Sequence, residues 1–329
     1  MDLWTVYHGD IPPFLREMMD SPALRRLEDV GMNCGCEYTS FPRFRDLGHY
    51  SRFRHSVGAA LIVWHFTRDS AASAAGLLHD IATPVFAHVV DFLRGDYLTQ
   101  EATESGTEEI IRQSAELRAS LARYAIPAED VVDYHRYSIA DNDAPRLSAD
   151  RLEYTLGNLL NFRLADLSEI REMYDDLTVS VSEDGARELM FRTGETALAF
   201  ARGALACSRI YVSREDRYAM QMLSELLGDA IKAGVLAERD LMTTEPEVIH
   251  KLLSDGKYSR RWDRFRSYRE MAAQDRPGPE AGWRQIFAKK RHIDPCVAGK
   301  GRVSAVYPAF GEELRTFLRQ SQAEWLLGI

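Results

Sequence analysis

The stretch that most constrains this chain covers residues 49–91, where His55, His79 and Asp80 stand among small and apolar residues. The surrounding pattern predicts buried helices, in which a polar side chain needs a partner to compensate for its lost hydration. A single histidine in such a run is more often a packed core residue than a ligand. Imidazole and carboxylate together suit first-row divalent metals. The combination therefore predicts a helical frame that holds a metal ion.

Pro84 suggests how the neighbours His79 and Asp80 can serve one site. Adjacent residues on a helix point about 100° apart, so the two side chains cannot share a face in the middle of a helix. Proline keeps Thr83 out of the α conformation, so we expect the helix over 70–81 to end and the chain to turn after Asp80. A helix then resumes in PVFAHVVDF, where His88 and Asp91 share a face and can support the site.

A later segment, RLSADRLEYTLGN, offers Asp150 as a further ligand. Asp150, Tyr154, Asn158 and Asn161 fall at i, i+4, i+8 and i+11, which is one stripe of a helix that is otherwise apolar. Such a stripe fits a helix that lines a pocket, and a solvated face is the alternative. Arg151 would add positive charge for a phosphate.

Three segments, RFRHSVG, LLHDIATPVFAH and SADRLEY, resemble the H…HD…D signature of the HD-domain phosphohydrolases. The nearest likeness is to the deoxynucleoside triphosphate triphosphohydrolases, and it extends over residues 6–165, roughly half the chain. The resemblance implies one divalent metal ion, which could be Mn, Mg, Fe, Co, Ni or Zn. By the same resemblance, the metal ligands would be His55, His79, Asp80 and Asp150. Phosphate and sugar would be contacted by Arg52, Arg151 and Tyr154, and His88 would be an active-site histidine.

The chain departs from this family at three positions. The family's second histidine, four residues after the HD histidine, is Thr83 here, and a further family histidine is replaced by Gln100, next to Glu101. Asn158 stands where the family has an aspartate that faces the sugar. The metal site therefore carries over better than the triphosphate chemistry. Glu101 and His88 are the candidates for moving protons.

The fold expected from these patterns is all-α, with an HD-domain helical core over residues 1–240 and a small α+β part over residues 241–329. Within the core, LTVSVSEDGARELMF predicts a β-hairpin before a helix. In the C-terminal part, Lys289, Lys290 and Arg291 are candidate phosphate contacts, and a solvated strand edge is the alternative. The segment KYSRRWDRFRSYRE is basic and aromatic, and we interpret it as a packing or oligomer face.

Composition narrows the function further. The chain has 329 residues, of which 45% are hydrophobic and 28% charged, as in an ordinary globular protein. A net charge of -9 argues against broad binding to nucleic acid, which needs a basic surface. No apolar run is long enough for a membrane span, so we expect a cytoplasmic protein. Four cysteines in a chain of this size predict reduced thiols rather than a disulfide framework.

These observations predict a metal-dependent phosphohydrolase that acts on a nucleotide, such as a dNTP, or on a related phosphate ester through a metal-activated water. Two alternatives stay open. Thr83 and Gln100 motivate a catalytically altered HD module that binds nucleotide in a regulatory role, and a phosphomonoesterase is the other. Relatives in the resembled family are commonly oligomeric, which leaves a homo-oligomer open here.

Overall fold

The computed structural model describes residues 3–95, 106–183, 185–279 and 281–329. Its α-helices are α1 Trp4–Tyr7, α2 Pro13–Met19, α3 Pro22–Arg25, α4 Arg52–Thr67, α5 Ser70–Leu78, α6 Val89–Arg94, α7 Thr107–Gln113, α8 Ala115–Arg123, α9 Ala149–Asn161, α10 Leu167–Asp175, α11 Gly194–Tyr211, α12 Arg214–Lys232, α13 Glu245–Leu253, α14 Gly256–Ser267, α15 Val303–Val306 and α16 Pro308–Arg319. Its strands are β1 Leu177–Val181, β2 Arg187–Phe191, β3 Met271–Gln274, β4 Arg284–Gln285, β5 Cys296–Val297, β6 Gly301–Arg302 and β7 Trp325–Gly328.

The protein is mostly helical, but short strands in the described part of the chain form two small sheets, so the all-α expectation holds only as a mostly helical fold. β1 and β2 form the predicted antiparallel hairpin, with Val179 opposite Leu189. One sheet has the order β1-β2-β5-β6 and includes strands from both sides of residue 240. The other has the order β3-β7-β4. The proposed division at residue 240 stays a prediction.

Side chains cap the first turns of the two helices that precede His79 and Asp80. The Ser51 hydroxyl accepts a hydrogen bond from the Arg54 N–H at the start of α4, and Asp69 accepts one from Ala72 at the start of α5. Small residues let the two helices approach closely, and a Cβ added to Gly76 would lie 3.7 Å from the Ala60 backbone. α4 and α5 therefore form a tightly packed base for the site.

The helix predicted over 70–81 ends three residues early, at Leu78. His79 and Asp80 lie in the turn that follows, where the Thr83 N–H donates to the Asp80 carbonyl. The Arg26 guanidinium donates to the carbonyls of Ile81 and Thr83, at 3.0 and 2.7 Å. Hydrogen bonds thus stabilise this turn on the N-terminal side of Pro84, and the helix ends earlier than the proline alone would require.

The helix expected in SPALRRLEDVG is shorter than predicted. Ser21 caps it, but α3 ends at Arg25 and continues as a 3-10 turn over Arg26–Asp29. Gly31 does not act as a left-handed stop and instead pairs with Ser51 in an isolated bridge. Among the residues that the structure describes, no helix combines the length and apolar character needed to span a membrane.

Among the described residues, two hydrophobic clusters make up the core. The first includes buried side chains of α4, α5, α9 and α11, and the second includes those of α6, α12, α13 and α14. The basic and aromatic helix α14 buries Tyr258, Trp262 and Phe265 in the second cluster, as a packing face would. One cavity has lining residues on elements of both clusters, which puts it between them.

Candidate metal centre and substrate cavity

Four side chains from three parts of the fold converge at one point. His55 Nε2, from α4, lies 3.2 Å from His79 Nε2, in the turn after α5. Asp150 Oδ1, from α9, lies 3.0 Å from His55 Nε2 and 3.5 Å from His79 Nε2. Asp80 Oδ2 lies 3.8 and 3.7 Å from the same two nitrogens. His55, His79 and Asp80 are therefore close enough to share one cation, and Asp150 lies beside the two imidazoles.

The far sides of both imidazoles are held by hydrogen bonds. His79 Nδ1 lies 2.7 Å from the Gly76 carbonyl oxygen, which can only accept, so Nδ1 carries the proton. His55 Nδ1 lies 2.6 Å from Glu153 Oε2, which also accepts the Tyr50 hydroxyl at 2.6 Å. These bonds turn the Nε2 lone pairs of both rings toward the shared point.

Asp80 is fixed through both of its carboxylate oxygens. Arg52 Nη1 donates to Oδ2 at 2.9 Å, and the Thr83 hydroxyl donates to Oδ1 at 2.8 Å. Burial alone would raise the pKa of Asp80, but Arg52 and the two imidazoles hold it well below its ordinary value. Thr83 thus orients Asp80 at the position where the resembled family has a histidine.

These groups open into a cavity of about 460 Å³. Its other lining residues are Met32, Asn33, Cys34, Phe44, Arg52, His88, Tyr134, His135, Asp141, Arg151, Tyr154, Asn158, Phe162, Tyr211, Asp216, Met220, Ala288, Lys289 and Arg291. Asn158 lies two turns beyond Asp150 on α9, ~12 Å along the helix. The cavity therefore extends from the cluster of candidate ligands along α9, where Tyr154 and Asn158 line it.

All five residues predicted to bind substrate line this cavity, namely Arg52, Arg151, Tyr154, Asn158 and Lys289. Arg151 Nη1 donates to Asn142 Oδ1 at 2.8 Å and lies 3.3 Å from Asp141 Oδ1. Asn158 Nδ2 donates to the Tyr211 hydroxyl at 2.8 Å, and Asn158 Oδ1 is buried without a hydrogen bond in the described part of the chain. Their roles toward a substrate stay predictions.

The proposed proton-transfer residues have different locations. His88 lines the cavity, and its Nδ1 lies 2.8 Å from Oδ2 of Asp91, whose side chain is fully buried behind it. Burial lowers the pKa of His88 to about 4, and Arg291 adds to the effect although Asp91 opposes it. Glu101 and Gln100 fall outside the described residues.

Sequence reasoning missed several groups near the site. Glu153 is the buried hydrogen-bond partner of His55. Its acidic side chain, three positions after Asp150 on an otherwise apolar helix, was a signal in the sequence that could have indicated this role. His135 Nδ1 pairs with Asp141 Oδ2 at 2.8 Å, and the Tyr134 ring lies 5.0 Å from the His79 ring. Tyr134, His135 and Asp141 belong to an irregular segment, and its sequence has no periodicity that would predict where it lies.

The cysteines form no disulfide, and all four are buried. Cys34 lines the cavity, where burial raises the pKa of its thiol to about 12. A protonated thiol is a poor metal ligand and a poor nucleophile. The structure therefore agrees with reduced thiols at Cys34 and Cys36.

Comparison with known proteins gives distant relatives. No family model matches the chain. It is 24% identical to the uncharacterized protein YdhJ of Bacillus subtilis, over 77% of this chain and 75% of the relative. It is 23% identical to the metal-dependent phosphohydrolase cns2 of Cordyceps militaris, over 93% of this chain and 88% of the relative.

A solved structure of similar fold is that of a hypothetical protein from Aquifex aeolicus. The TM-score is 0.63 at 15% sequence identity, and the match covers 92% of this chain and 89% of the other, so it shows the fold alone. The chain is thus similar to a protein named as a metal-dependent phosphohydrolase. Together with the cluster of His55, His79 and Asp80, this similarity suggests a divalent metal of unknown identity.

Proposed function

We propose that this protein is a metal-dependent phosphohydrolase that cleaves a phosphate ester of a nucleotide or a related small molecule. One divalent cation would be held by His55, His79, Asp80 and Asp150. The observation that carries the proposal is the meeting of two imidazole Nε2 atoms, 3.2 Å apart, each of which lies 3.0 to 3.8 Å from the carboxylates of both Asp80 and Asp150. Without a cation these electron-rich atoms repel one another.

The donor set fits such an ion. Ligand atoms at ~2.1 Å from a shared metal lie ~3 Å apart, close to the separations seen here. The cluster also attracts positive charge when no metal is considered. Burial lowers the pKa of His55, yet hydrogen bonds to Asp150 and Glu153 outweigh it and raise the pKa to about 10. A proton thereby takes the role that a divalent cation would fill.

A bound divalent cation supplies Lewis acidity toward a phosphate oxygen and toward water. The chain's own residues would bind and orient the substrate. Arg151 and Lys289 would balance charge on phosphate oxygens, and Arg52 would hold Asp80 in its ligating orientation. The amide of Asn158 and the ring of Tyr154 line the same cavity and would face the organic part of the substrate.

Thr83 bears on the number of phosphates that the substrate carries. The resembled triphosphohydrolases use a histidine at this position, whereas the Thr83 hydroxyl is bound to Asp80 and cannot transfer a proton as an imidazole does. This observation favours hydrolysis of a monophosphate ester as the second candidate. A regulatory module that binds nucleotide without cleaving it is an outcome of the test.

The test combines metal analysis of the purified protein with assays of phosphate release. A panel of nucleoside mono- and triphosphates is incubated with Mn, Mg, Fe, Co or Ni, and the product is identified as phosphate or triphosphate. We expect Asp80→Ala to remove both bound metal and turnover. His65→Ala is the matched control, because His65 lies on α4 with His55 but is exposed and does not line the cavity.

Each outcome decides between the candidates. Phosphate release from monophosphates alone assigns a phosphomonoesterase, and triphosphate release assigns the triphosphohydrolase reaction. Tight nucleotide binding with no turnover under any metal assigns a regulatory module. Full metal content and activity in Asp80→Ala would contradict the proposed centre.

A further inference from the structure

We propose that Arg291 contacts the substrate phosphate and that His88 is a positioning residue that aims the Arg291 guanidinium into the cavity. The proposal rests on the proposed function in one respect, which is that the cavity receives a phosphate-bearing molecule. The observation behind it is a chain of contacts from buried Asp91 through His88 to Arg291, a residue from the C-terminal part of the chain.

The segment that carries Arg291 is anchored on both sides. Before it, the Ala288 N–H donates to Gln322 Oε1 at 2.7 Å, and Gln322 Nε2 donates back to the Ala288 carbonyl at 3.3 Å. After it, the Asp294 N–H donates to the Pro145 carbonyl at 2.9 Å. Ala288, Lys289 and Arg291 all line the cavity. The guanidinium is therefore presented by fixed backbone rather than by a free loop.

His88 has both ring nitrogens engaged. Arg291 Nη2 lies 3.2 Å from His88 Nε2, and because a guanidinium only donates, Nε2 must accept. The ring proton is then on Nδ1, which donates to Asp91 Oδ2 at 2.8 Å. A neutral imidazole in this arrangement holds Arg291 and has no proton directed at a substrate. This differs from the proton-transfer role that the sequence resemblance implies for His88.

Asp91 fixes the direction of the whole contact chain. Its side chain is fully buried, so the carboxylate cannot reorient into solvent, and it selects the Nδ1–H tautomer of His88. The bond from Arg291 to His88 joins a cation to a neutral ring on the wall of the cavity. A phosphate dianion in the cavity is the chemical group that such a charge recognises, through paired N–H···O bonds.

The neighbouring lysine provides a matched control. Lys290 Nζ donates to the Leu318 carbonyl at 2.7 Å and also to the Gln320 carbonyl, and it does not line the cavity. Lys290→Ala therefore removes one positive charge from the same segment without removing a group from the site. Any effect specific to Arg291 must exceed the effect of this change.

The experiment measures binding of inorganic phosphate to the metal-loaded full chain by titration calorimetry. We expect Arg291→Ala to weaken phosphate binding by about tenfold to a hundredfold, as for loss of a charge-assisted pair. Lys290→Ala should bind as the wild type does. His88→Ala should weaken binding in the same direction, and the double variant should lose little more than Arg291→Ala. Millimolar guanidinium should restore part of the affinity of Arg291→Ala.

A second readout separates positioning from proton transfer. An amide oxygen in His88→Gln can accept from Arg291, so this variant should recover affinity and turnover relative to His88→Ala and keep the wild-type pH profile of kcat/KM. If His88→Gln is as inactive as His88→Ala and the pH profile of kcat/KM loses one limb, His88 is a proton-transfer residue and its positioning role is overturned. If Arg291→Ala does not fold, Arg291→Lys provides the binding comparison.

The failure of this inference differs from the failure of the proposed function. Wild-type phosphate affinity in Arg291→Ala, or no phosphate binding by the wild type, overturns the inference even if substrates are hydrolysed. Phosphate binding that depends on Arg291, with no substrate turned over, supports the inference and contradicts the hydrolase.

Discussion

Replacing Glu153 tests whether the orientation of His55 controls metal affinity. Glu153 lies on α9 with its side chain 2% exposed, and its Oε2 accepts from both His55 Nδ1 and the Tyr50 hydroxyl at 2.6 Å. In Glu153→Ala, the imidazole loses the acceptor that fixes its tautomer. Its proton can then move to Nε2, the atom that faces the proposed metal.

The expected magnitude follows from these two bonds. Loss of a residue that orients a metal ligand typically weakens metal binding 10- to 100-fold, or by about 1.4–2.7 kcal/mol. We place Glu153→Ala near the upper figure because it removes the acceptor and the charge together. Glu153→Gln retains an oxygen for His55 Nδ1 and loses only the charge, so we expect about tenfold.

The assay is calorimetric titration of a divalent metal into chelator-treated protein, together with thermal melts of the same samples. Glu225→Gln is the control, because Glu225 pairs with Arg284 at 2.7 Å, away from the cavity. It should change stability by no more than about 1 kcal/mol and leave metal affinity alone. Wild-type metal affinity in folded Glu153→Ala would refute the reasoning, since His55 would then need no buried acceptor.

Three further predictions concern the surroundings of the site. Burial raises the pKa of Asp216 from 3.8 to about 8, so the folded chain retains a proton that the unfolded chain releases. Stability should therefore fall as pH rises through that window, and melts of Asp216→Asn across pH should show a flatter dependence; an equal slope would count against it. Gly58→Ala puts a Cβ 2.6 Å from Glu153 Cγ and should cost about 1–3 kcal/mol of unfolding free energy in denaturant titrations, whereas unchanged stability would show that Glu153 can move aside. Thr83→Val removes the 2.8 Å bond to Asp80 and should weaken metal binding by about 1 kcal/mol in calorimetry, and equal affinity would mean that Arg52 orients Asp80 alone.

The helices that carry the proposed ligands could be predicted because their signals are local. Ser51 and Asp69 are caps whose side chains bond to backbone N–H groups three residues on, and these spacings are visible in the sequence. The polar stripe through Asp150, Tyr154 and Asn158 is equally local, since one helix fixes all of its members. The hairpin at β1 and β2 follows from a turn-rich segment between alternating residues.

What could not be predicted depends on contacts between distant parts of the chain. Glu153 lies 98 positions after His55, and the separate helices that bring them together leave no spacing to recognise. The early end of α5 has a similar cause, since Arg26 binds the carbonyls of Ile81 and Thr83 from more than fifty positions away. Helix propensity and the position of Pro84 favoured a longer helix. The hydrogen bonds from Arg26 hold the turn that ends α5 earlier.

The positions of the charged groups around the cavity could not be predicted from the sequence. A chain with a net charge of -9 can hold an anion only where cations converge locally. Arg52 and Arg151, from the segments that resemble the HD family, each face a carboxylate, Asp80 at 2.9 Å and Asp141 at 3.3 Å. Lys289 and Arg291 come from one anchored segment of the C-terminal part. The sequence offered Lys289, Lys290 and Arg291 together as candidate phosphate contacts, and it could not separate Lys289 and Arg291, which line the cavity, from Lys290, which does not.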